Sequence, residues 1–454
     1  MEQKSFYIKT FGCQMNERDS EIMAQSLGTF GYIEGMEIQD ADLVILNTCS
    51  IRAKAEQKVM SMLGYLRKTK QKNPAMKICV AGCVAQQEGV KIIEKMPHVD
   101  LVVGTQNIYN LGEFLENRDE FKGKVITDLQ DNYKIPKFLP DMVVDTTNIE
   151  NSDSPYPKPF RKFLTIMQGC NNYCSYCVVP YTRGREVSRL VSDIVDEVHV
   201  LVAAGIKEIT LLGQNVNSYG QTNEVFPGRP NYGFADLLKK VAAVEGLQRL
   251  RFTTSNPKDL TENLIECFGS IPNLCPQFHL PVQAGSDAVL KRMNRKYTIK
   301  TYLEQIRQLR KQCPEIALTT DVIIGFPGET DDDFQQTMAL LEEVQFHGSF
   351  SFKYSDRPGT RASDFTDKID ETIKSERLAR FQNRQDEISL ERNKEYIGTI
   401  KKIMLETCGE DSAKGRTDTN HIVHIHQNVA AKPGDIISVK INFAGQHSLK
   451  GELI

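Results

Sequence analysis

Three cysteines fall within eight residues in Gln168-Gly-Cys170-Asn-Asn-Tyr-Cys174-Ser-Tyr-Cys177, at the end of the apolar run Phe163-Leu-Thr-Ile-Met167. The odd count and tight spacing argue against a disulfide, and in a chain with no secretory signal they point to metal ligation. A structural zinc site wants a fourth Cys or His close by, and the next histidine, His199, falls inside a predicted helix. Three thiolates can instead hold a four-iron, four-sulfur cluster and leave one iron without a protein ligand. A small molecule can bind that iron, so an open position implies chemistry.

A second set of three cysteines is spread over the first 130 residues, where short apolar runs alternate with amphipathic stretches. Strands are predicted at Phe6–Thr10, Ala41–Leu46, Met76–Ala81 and Leu101–Val103, with helices at Glu17–Phe30, Ala53–Thr69 and Gln86–Lys95. Continuous apolar strands separated by helices mark a parallel sheet covered on both faces, a doubly wound α/β domain. Cys13, Cys49 and Cys83 each follow one of the first three strands. Loops after the carboxyl ends of such strands form the binding crevice, so residues about 35 apart in this sequence can converge there as a second three-thiolate site. Gly12 and Gly82, directly before two of these cysteines, suit close backbone approach. Cys79 lies inside a strand and reads as a small buried residue.

The chain of 454 residues has a net charge of −3 and eleven cysteines, and no apolar run approaches membrane-spanning length. That combination suggests about three domains in a reducing compartment, the cytosol by default, and excludes a membrane-spanning helix. Lys158, Arg161, Lys162, Arg183, Arg185 and Arg189 stand against Glu186 alone between Pro155 and Arg189. Such a neighbourhood fits either a polyanionic substrate or a solvated basic rim. From Asp131 to Pro159 periodicity fails and prolines recur (Pro136, Pro140, Pro155, Pro157, Pro159), so residues 131–160 read as a linker between an N-terminal domain (1–130) and a central one (161–390).

The central region holds six predicted strands, Phe163–Gln168, Glu208–Leu212, Arg249–Thr254, Gln277–Val282, Leu318–Ile324 and Ser349–Tyr354, mostly alternating with helices. Six units fall short of the eight that close a full barrel, so a partial (β/α)6 barrel is expected, its site at the carboxyl ends of the strands. Cys170 is already there. Gly213-Gln214-Asn215, Ser255-Asn256, Gln283-Ala-Gly285-Ser286 and Gly325-Phe-Pro-Gly328-Glu329 end the other strands, and small residues and amides can cradle a cofactor without blocking it. Lys291-Arg-Met-Asn-Arg-Lys296 puts four cations at a helix end, which serves equally to offset a helix dipole or to meet substrate phosphates.

After a long charged helix from Glu371 to Arg392, residues 391–454 change character. Short alternating strands punctuated by Gly415, Gly434, Gly445 and Gly451 predict a small β-barrel. His424 and His426 alternate along one strand and so share a face, which argues for a surface more than for a metal site.

These residues carry a resemblance. CxxxCxxC with Tyr176 before its last cysteine resembles the signature of the radical S-adenosylmethionine superfamily. Asp321-Val-Ile-Ile-Gly325-Phe-Pro-Gly-Glu329 is similar to its adenine-side segment, with Asp in place of the first Gly. Gly213-Gln-Asn stands where that superfamily keeps a Gly-Gly-Glu-like turn. The Gly415-Arg-Thr417 turn, the lysines (Lys401, Lys402, Lys414, Lys432, Lys440, Lys450) and the histidines His421, His424, His426 and His447 resemble the RNA-binding TRAM module.

The order of the three parts resembles the methylthiotransferase family. Thr10-Phe-Gly-Cys-Gln-Met-Asn-Glu-Arg-Asp-Ser20, Asn47-Thr-Cys-Ser-Ile-Arg52, Ala81-Gly-Cys-Val-Ala-Gln86 and Gly213-Gln-Asn-Val-Asn-Ser-Tyr219 look most like its MiaB branch. That resemblance implies two [4Fe-4S] clusters, one on Cys170, Cys174 and Cys177 and one on Cys13, Cys49 and Cys83. It implies S-adenosylmethionine held among Tyr176, Gly213, Gln214, Asn215, Ser255, Gln283, Gly325 and Glu329. It also implies a tRNA substrate, an external electron donor and a cytoplasmic monomer. The activity implied is transfer of a methylthio group to C2 of isopentenyladenosine beside the anticodon. In it, sulfur on the first-domain cluster takes a methyl group from one cofactor molecule, and a second supplies the radical that removes the C2 hydrogen. Both open irons would then face one chamber. The alternatives are a sister branch acting on threonylcarbamoyladenosine or a ribosomal-protein aspartate, and a non-catalytic iron–sulfur carrier or RNA-binding redox sensor.

Overall fold

The computed structural model describes residues 3–49, 53–116, 123–139, 159–222 and 232–454. The predicted linker lies largely outside them, with Pro140, Pro155 and Pro157, as do Lys158 and Ser50-Ile51-Arg52 after Cys49.

Strands β1 (Ser5–Thr10), β2 (Ile33–Glu34), β3 (Leu43–Thr48), β4 (Lys77–Gly82), β5 (Leu101–Val103) and β6 (Lys124–Ile126) form one parallel sheet in the order β2-β1-β3-β4-β5-β6. Alternate side chains feed two cores, as a doubly wound sheet requires. Leu43 and Ile45 pack with Ile22, Met23 and Leu27 of the helix Gln14–Gly28, while Val44 and Leu46 pack with Val59, Leu63 and Leu66 of the helix Ala53–Lys72. The helix expected over Gln86–Lys95 is two short ones, Cys83–Glu88 and Val90–Lys95. Gly89 breaks them at φ +47°, a conformation few other residues adopt.

Parallel strands β7 (Arg161–Thr165), β10 (Glu208–Leu212), β11 (Arg249–Phe252), β12 (Gln277–His279), β13 (Ala317–Ile324) and β14 (Gly348–Lys353) follow, with the short antiparallel pair β8 (Met167–Gln168) and β9 (Val187–Ser188) framing the cysteine loop. They form two three-stranded sheets, β11-β10-β7 and β12-β13-β14, with a single bridge between Leu250 and Leu274 at the join. This is the partial barrel, open between β7 and β14. The predicted strands run shorter at β11 and β12, whose last residues turn into the site loops.

The first helix bolts the two parts together. Arg18 pairs with Glu197, which also takes Arg189 at 2.8 Å, and Arg183 donates to Asp19 at 2.6 Å, all buried. Lys162 reaches Glu21 at 2.7 Å, and Arg161 pairs with Glu406. The basic stretch expected to meet a polyanion is therefore mostly spent internally. Of its described members, Arg185 stays exposed without such a pair, because acidic residues from other elements claim the rest.

Strands β15 (Ile400–Cys408), β16 (Ala413–Arg416), β17 (Ile422–Ile425), β18 (Ile436–Ala444) and β19 (Leu449–Leu453) close a barrel in the order β15-β16-β17-β19-β18. Gly415 was expected in a turn; it lies within β16, where a Cβ would strike the Met404 backbone of β15. Thr417 is buried, and Arg249 and Arg251 donate to the carbonyls of Lys402 (3.0 Å), Arg416 (2.9 Å) and Asp418 (2.7 Å). The small barrel is thus docked at the amino ends of the central strands, opposite the cysteines.

His347 and His421 meet edge to face in this seam, ring centroids 5.8 Å apart. Burial holds both neutral, at about 3 and about 4 respectively. The unfolded chain takes up protons at these rings below about pH 6.5 while the folded chain does not, so stability is full above that pH and falls as pH drops toward 4. A His347→Asn, His421→Asn double variant is expected to flatten this part of a melting-temperature profile; an unaltered slope would contradict it.

Candidate functional site

Cys13 caps the helix Gln14–Gly28 and Cys83 opens the helix Cys83–Glu88, so both thiols stand at helix N-termini, where free N–H groups favour anionic sulfur. Cys49 lies just beyond β3. Two buried asparagines hold the loops together. Asn16 Nδ2 donates to Asn47 Oδ1 (3.0 Å) and Thr48 O (2.9 Å), while Asn47 Nδ2 donates back to Asn16 O (2.8 Å). A Cβ on Gly12 would overlap Cys49, and one on Gly82 would lie 2.5 Å from Asn47 Oδ1, so both positions, at positive φ, require glycine.

Cys13 interacts with Cys49, and Cys83 lies within electrostatic reach of Cys13. A hydrogen bond from Cys49 draws the Cys13 thiol down to about 6; burial opposes this and the Arg183 charge assists it. Burial pushes Cys83 up, partly offset by the nearby Arg183 charge. Cys79 stays in the sheet core, fully buried, its thiol pushed up by desolvation.

Cys170, Cys174 and Cys177 line a cavity of about 1500 Å³ at the carboxyl ends of the central strands. Burial pushes Cys170 up to about 11 and Cys177 up to about 12. Thiols this desolvated ionise only beside a compensating cation. Arg295 provides one: it donates to Cys174 Sγ at 3.4 Å, to Pro281 O at 3.0 Å and to Tyr297 Oη at 2.9 Å.

Of the expected cofactor-shelf residues, Tyr176, Gln214, Asn215, Ser255 and Gln283 line this cavity. Gln214 Oε1 accepts from the Gly169 N–H at 2.5 Å and Asn215 Nδ2 donates to Asp259 Oδ2 at 2.7 Å. Their remaining polar atoms, Gln214 Nε2, Asn215 Oδ1 and Ser255 Oγ, are buried without a partner. Buried polar atoms are rarely left so, and a polar ligand such as S-adenosylmethionine would satisfy them. Thr254 at φ +69° and Gln283 at φ +74° add backbone strain at the same level.

The other three shelf residues sit elsewhere. A Cβ on Gly213 would lie 2.5 Å from Met167 Cγ, and one on Gly325 would overlap Lys374, so packing demands these glycines. Glu329 accepts from the Gly325 N–H at 3.0 Å and from Arg377 at 2.8 Å, fixing the loop and not facing the cavity. Ser286 caps a helix by accepting from Val289 N–H. The run with Arg183, read from sequence as meeting a polyanion or as a solvated rim, and the run with Arg295, read as a helix end or a phosphate contact, instead bury a guanidinium against Cys174 and a charge near Cys83, which sequence spacing does not reveal.

Among the described residues, the lining of the large cavity does not include Cys13, Cys49 or Cys83. What joins the sites is the short helix Val179–Arg183: Val179 lines the cavity and the Arg183 charge acts on Cys83. Five residues of helix span about 7 Å. Among the described residues no three His, Cys, Asp or Glu side chains are drawn together tightly enough for a single metal ion. An iron–sulfur cubane, with a separate iron beneath each thiolate, asks for wider spacing.

Residues 5–104 match the profile of the Uncharacterized protein family UPF0004 and residues 164–341 that of the Radical SAM superfamily. A tRNA-2-methylthio-N(6)-dimethylallyladenosine synthase of Desulfotalea psychrophila is 63% identical over 100% of both chains. The synthase of that name from Syntrophobacter fumaroxidans is 47% identical over 99% of this chain and 95% of its own. Among solved structures, a radical S-adenosylmethionine methyltransferase, TsrM, from Kitasatospora setae superposes with a TM-score of 0.56 at 15% identity, over 80% of this chain and 77% of that one, a likeness of fold. No helix among the described residues is long and apolar enough to cross a membrane. With its full-length identity to these synthases and its match to the Radical SAM superfamily, the chain belongs to the tRNA-2-methylthio-N(6)-dimethylallyladenosine synthase family of radical S-adenosylmethionine enzymes.

Proposed function

We propose that the chain transfers a methylthio group to C2 of N6-dimethylallyladenosine beside the anticodon of tRNA. The observation that carries this reading is the 63% identity, end to end, to a synthase of that name. When bound, an iron–sulfur cluster and S-adenosylmethionine supply a radical that can break an aromatic C–H bond, which no side-chain base could do.

The chain's own residues hold and tune these groups. In this reading Cys170, Cys174 and Cys177 would hold one [4Fe-4S] cluster, and Gln214, Asn215, Ser255, Gln283 and Tyr176 would position S-adenosylmethionine beside it. Cys13, Cys49 and Cys83 would hold a second cluster, which would supply the sulfur. Arg295 and Arg183 offset the thiolate charge, one at each site. Residues 1–130 then form the sulfur-delivering domain, 161–390 the radical core and 391–454 the RNA-gripping module, joined by 131–160. The substrate base is flipped from its stack to reach the cavity. An external donor supplies electrons, and the enzyme works as a cytoplasmic monomer, where tRNA is available.

Anaerobically reconstituted protein given reductant, S-adenosylmethionine and prenylated tRNA is expected to yield 5′-deoxyadenosine and the 2-methylthio nucleoside by mass spectrometry. Absence of deoxyadenosine would favour a non-catalytic carrier. Methylthiolation of threonylcarbamoyladenosine in place of the prenylated base would favour a sister branch.

A further inference from the structure

Strand β14 carries an inverted pattern. In a parallel strand backed by a helix, the helix-facing side chains are ordinarily apolar. Here Ser351 faces the helix Glu371–Lys394, accepting from Gln382 Nε2 at 3.2 Å, and Lys353 pairs with Glu371 of that helix at 3.0 Å. The opposite face carries Phe350 and Phe352, 56% and 47% exposed. Both line the cavity that holds Cys170, Cys174 and Cys177.

Register fixes their surroundings. Phe350 stands beside Asp321 and Phe352 beside Ile323, and both neighbours line the same cavity. His279 meets Phe350 edge to face at 6.0 Å and approaches Asp321 at 3.4 Å. The amides and hydroxyls of the cofactor shelf follow β10, β11 and β12, while on the other side Ser349, Ser351 and Lys353 of β14 also border the cavity and Phe350 and Phe352 are that strand's apolar lining residues. About 1500 Å³ also exceeds the roughly 300–1,000 Å³ that a small-molecule site takes, leaving room beside a cofactor.

We infer that Phe350 and Phe352 form the apolar wall that receives the dimethylallyl substituent of the substrate base. This rests on the function proposed above. C2 and the N6 substituent project from different edges of the adenine ring, so a base offering C2 to the polar side presents its prenyl group to another wall. A five-carbon apolar group gains by burial against two exposed phenyl rings what an unmodified amine cannot. The two residues therefore set specificity for prenylated over unprenylated RNA.

The test compares a synthetic anticodon stem-loop carrying N6-dimethylallyladenosine with the same RNA carrying adenosine, using reconstituted enzyme. Wild type is expected to bind the prenylated RNA tighter by on the order of tenfold or more. The Phe350→Ala, Phe352→Ala variant should bind both equally, with KM for the prenylated RNA raised by a similar factor and kcat within a few-fold. The Phe350→Leu, Phe352→Leu variant should recover most of the preference, since apolar volume is what counts. A folded alanine variant that keeps the preference overturns the inference. So does a leucine variant as impaired as the alanine one, which would indicate ring stacking on a base. Weakened S-adenosylmethionine binding without RNA would assign the wall to the cofactor and overturn it too. A wild type that modifies neither RNA refutes the proposed function itself, and the two failures are thereby distinguishable.

Discussion

The Cys13→Ala variant is expected to cleave S-adenosylmethionine at close to the wild-type rate while losing methylthiolation by more than about a hundredfold. Cys13 sits at the head of the first helix, drawn down by its hydrogen bond from Cys49 and backed by Asn16, which receives its thiol at 3.3 Å. None of its partners belongs to the Cys170, Cys174 and Cys177 loop. Removing one thiol should therefore disable one site and spare the other. Deoxyadenosine and methylthio nucleoside are measured in the same reaction. Equal loss of both in a folded variant would contradict the division of labour.

Glu197→Ala should be the most damaging substitution outside the cysteines, costing about 3–5 kcal/mol of stability in urea unfolding. Glu197 is wholly buried between Arg18, from the first domain, and Arg189, from the barrel. Alanine leaves the buried Arg189 guanidinium without its counter-charge and Arg18 with Glu21 alone, whereas the exposed Lys137–Asp196 pair at the same seam is surrounded by water. Lys137→Ala should accordingly leave unfolding unchanged. If the two variants behaved alike, burial of the Glu197 network would not be what holds the domains.

Much of this was readable in advance for a local reason. The strands of the first sheet are short apolar runs, and CxxxCxxC needs only the residues it contains. The placement of Cys13, Cys49 and Cys83 was legible because each follows a strand of one parallel sheet. What escaped was set by distance. Arg183 and Arg189 count as surface charge until Asp19 and Glu197, more than a hundred positions earlier in one case and a helical turn or two later in the other, close on them. Arg295 looked like a helix end and turned out to touch Cys174. Glu329 matched a cofactor segment yet spends its carboxylate on Gly325 and Arg377, because buried acids take the nearest donors. The Phe350 and Phe352 face could not be distinguished from core by alternation alone, since alternation does not say which side is filled.

Iron content of anaerobically reconstituted protein addresses the two-site proposal most directly. Wild type should hold about eight irons per chain, and triple alanine variants of either cysteine set about four. Four irons in fully loaded wild type, unchanged when Cys13, Cys49 and Cys83 are all replaced, would contradict it.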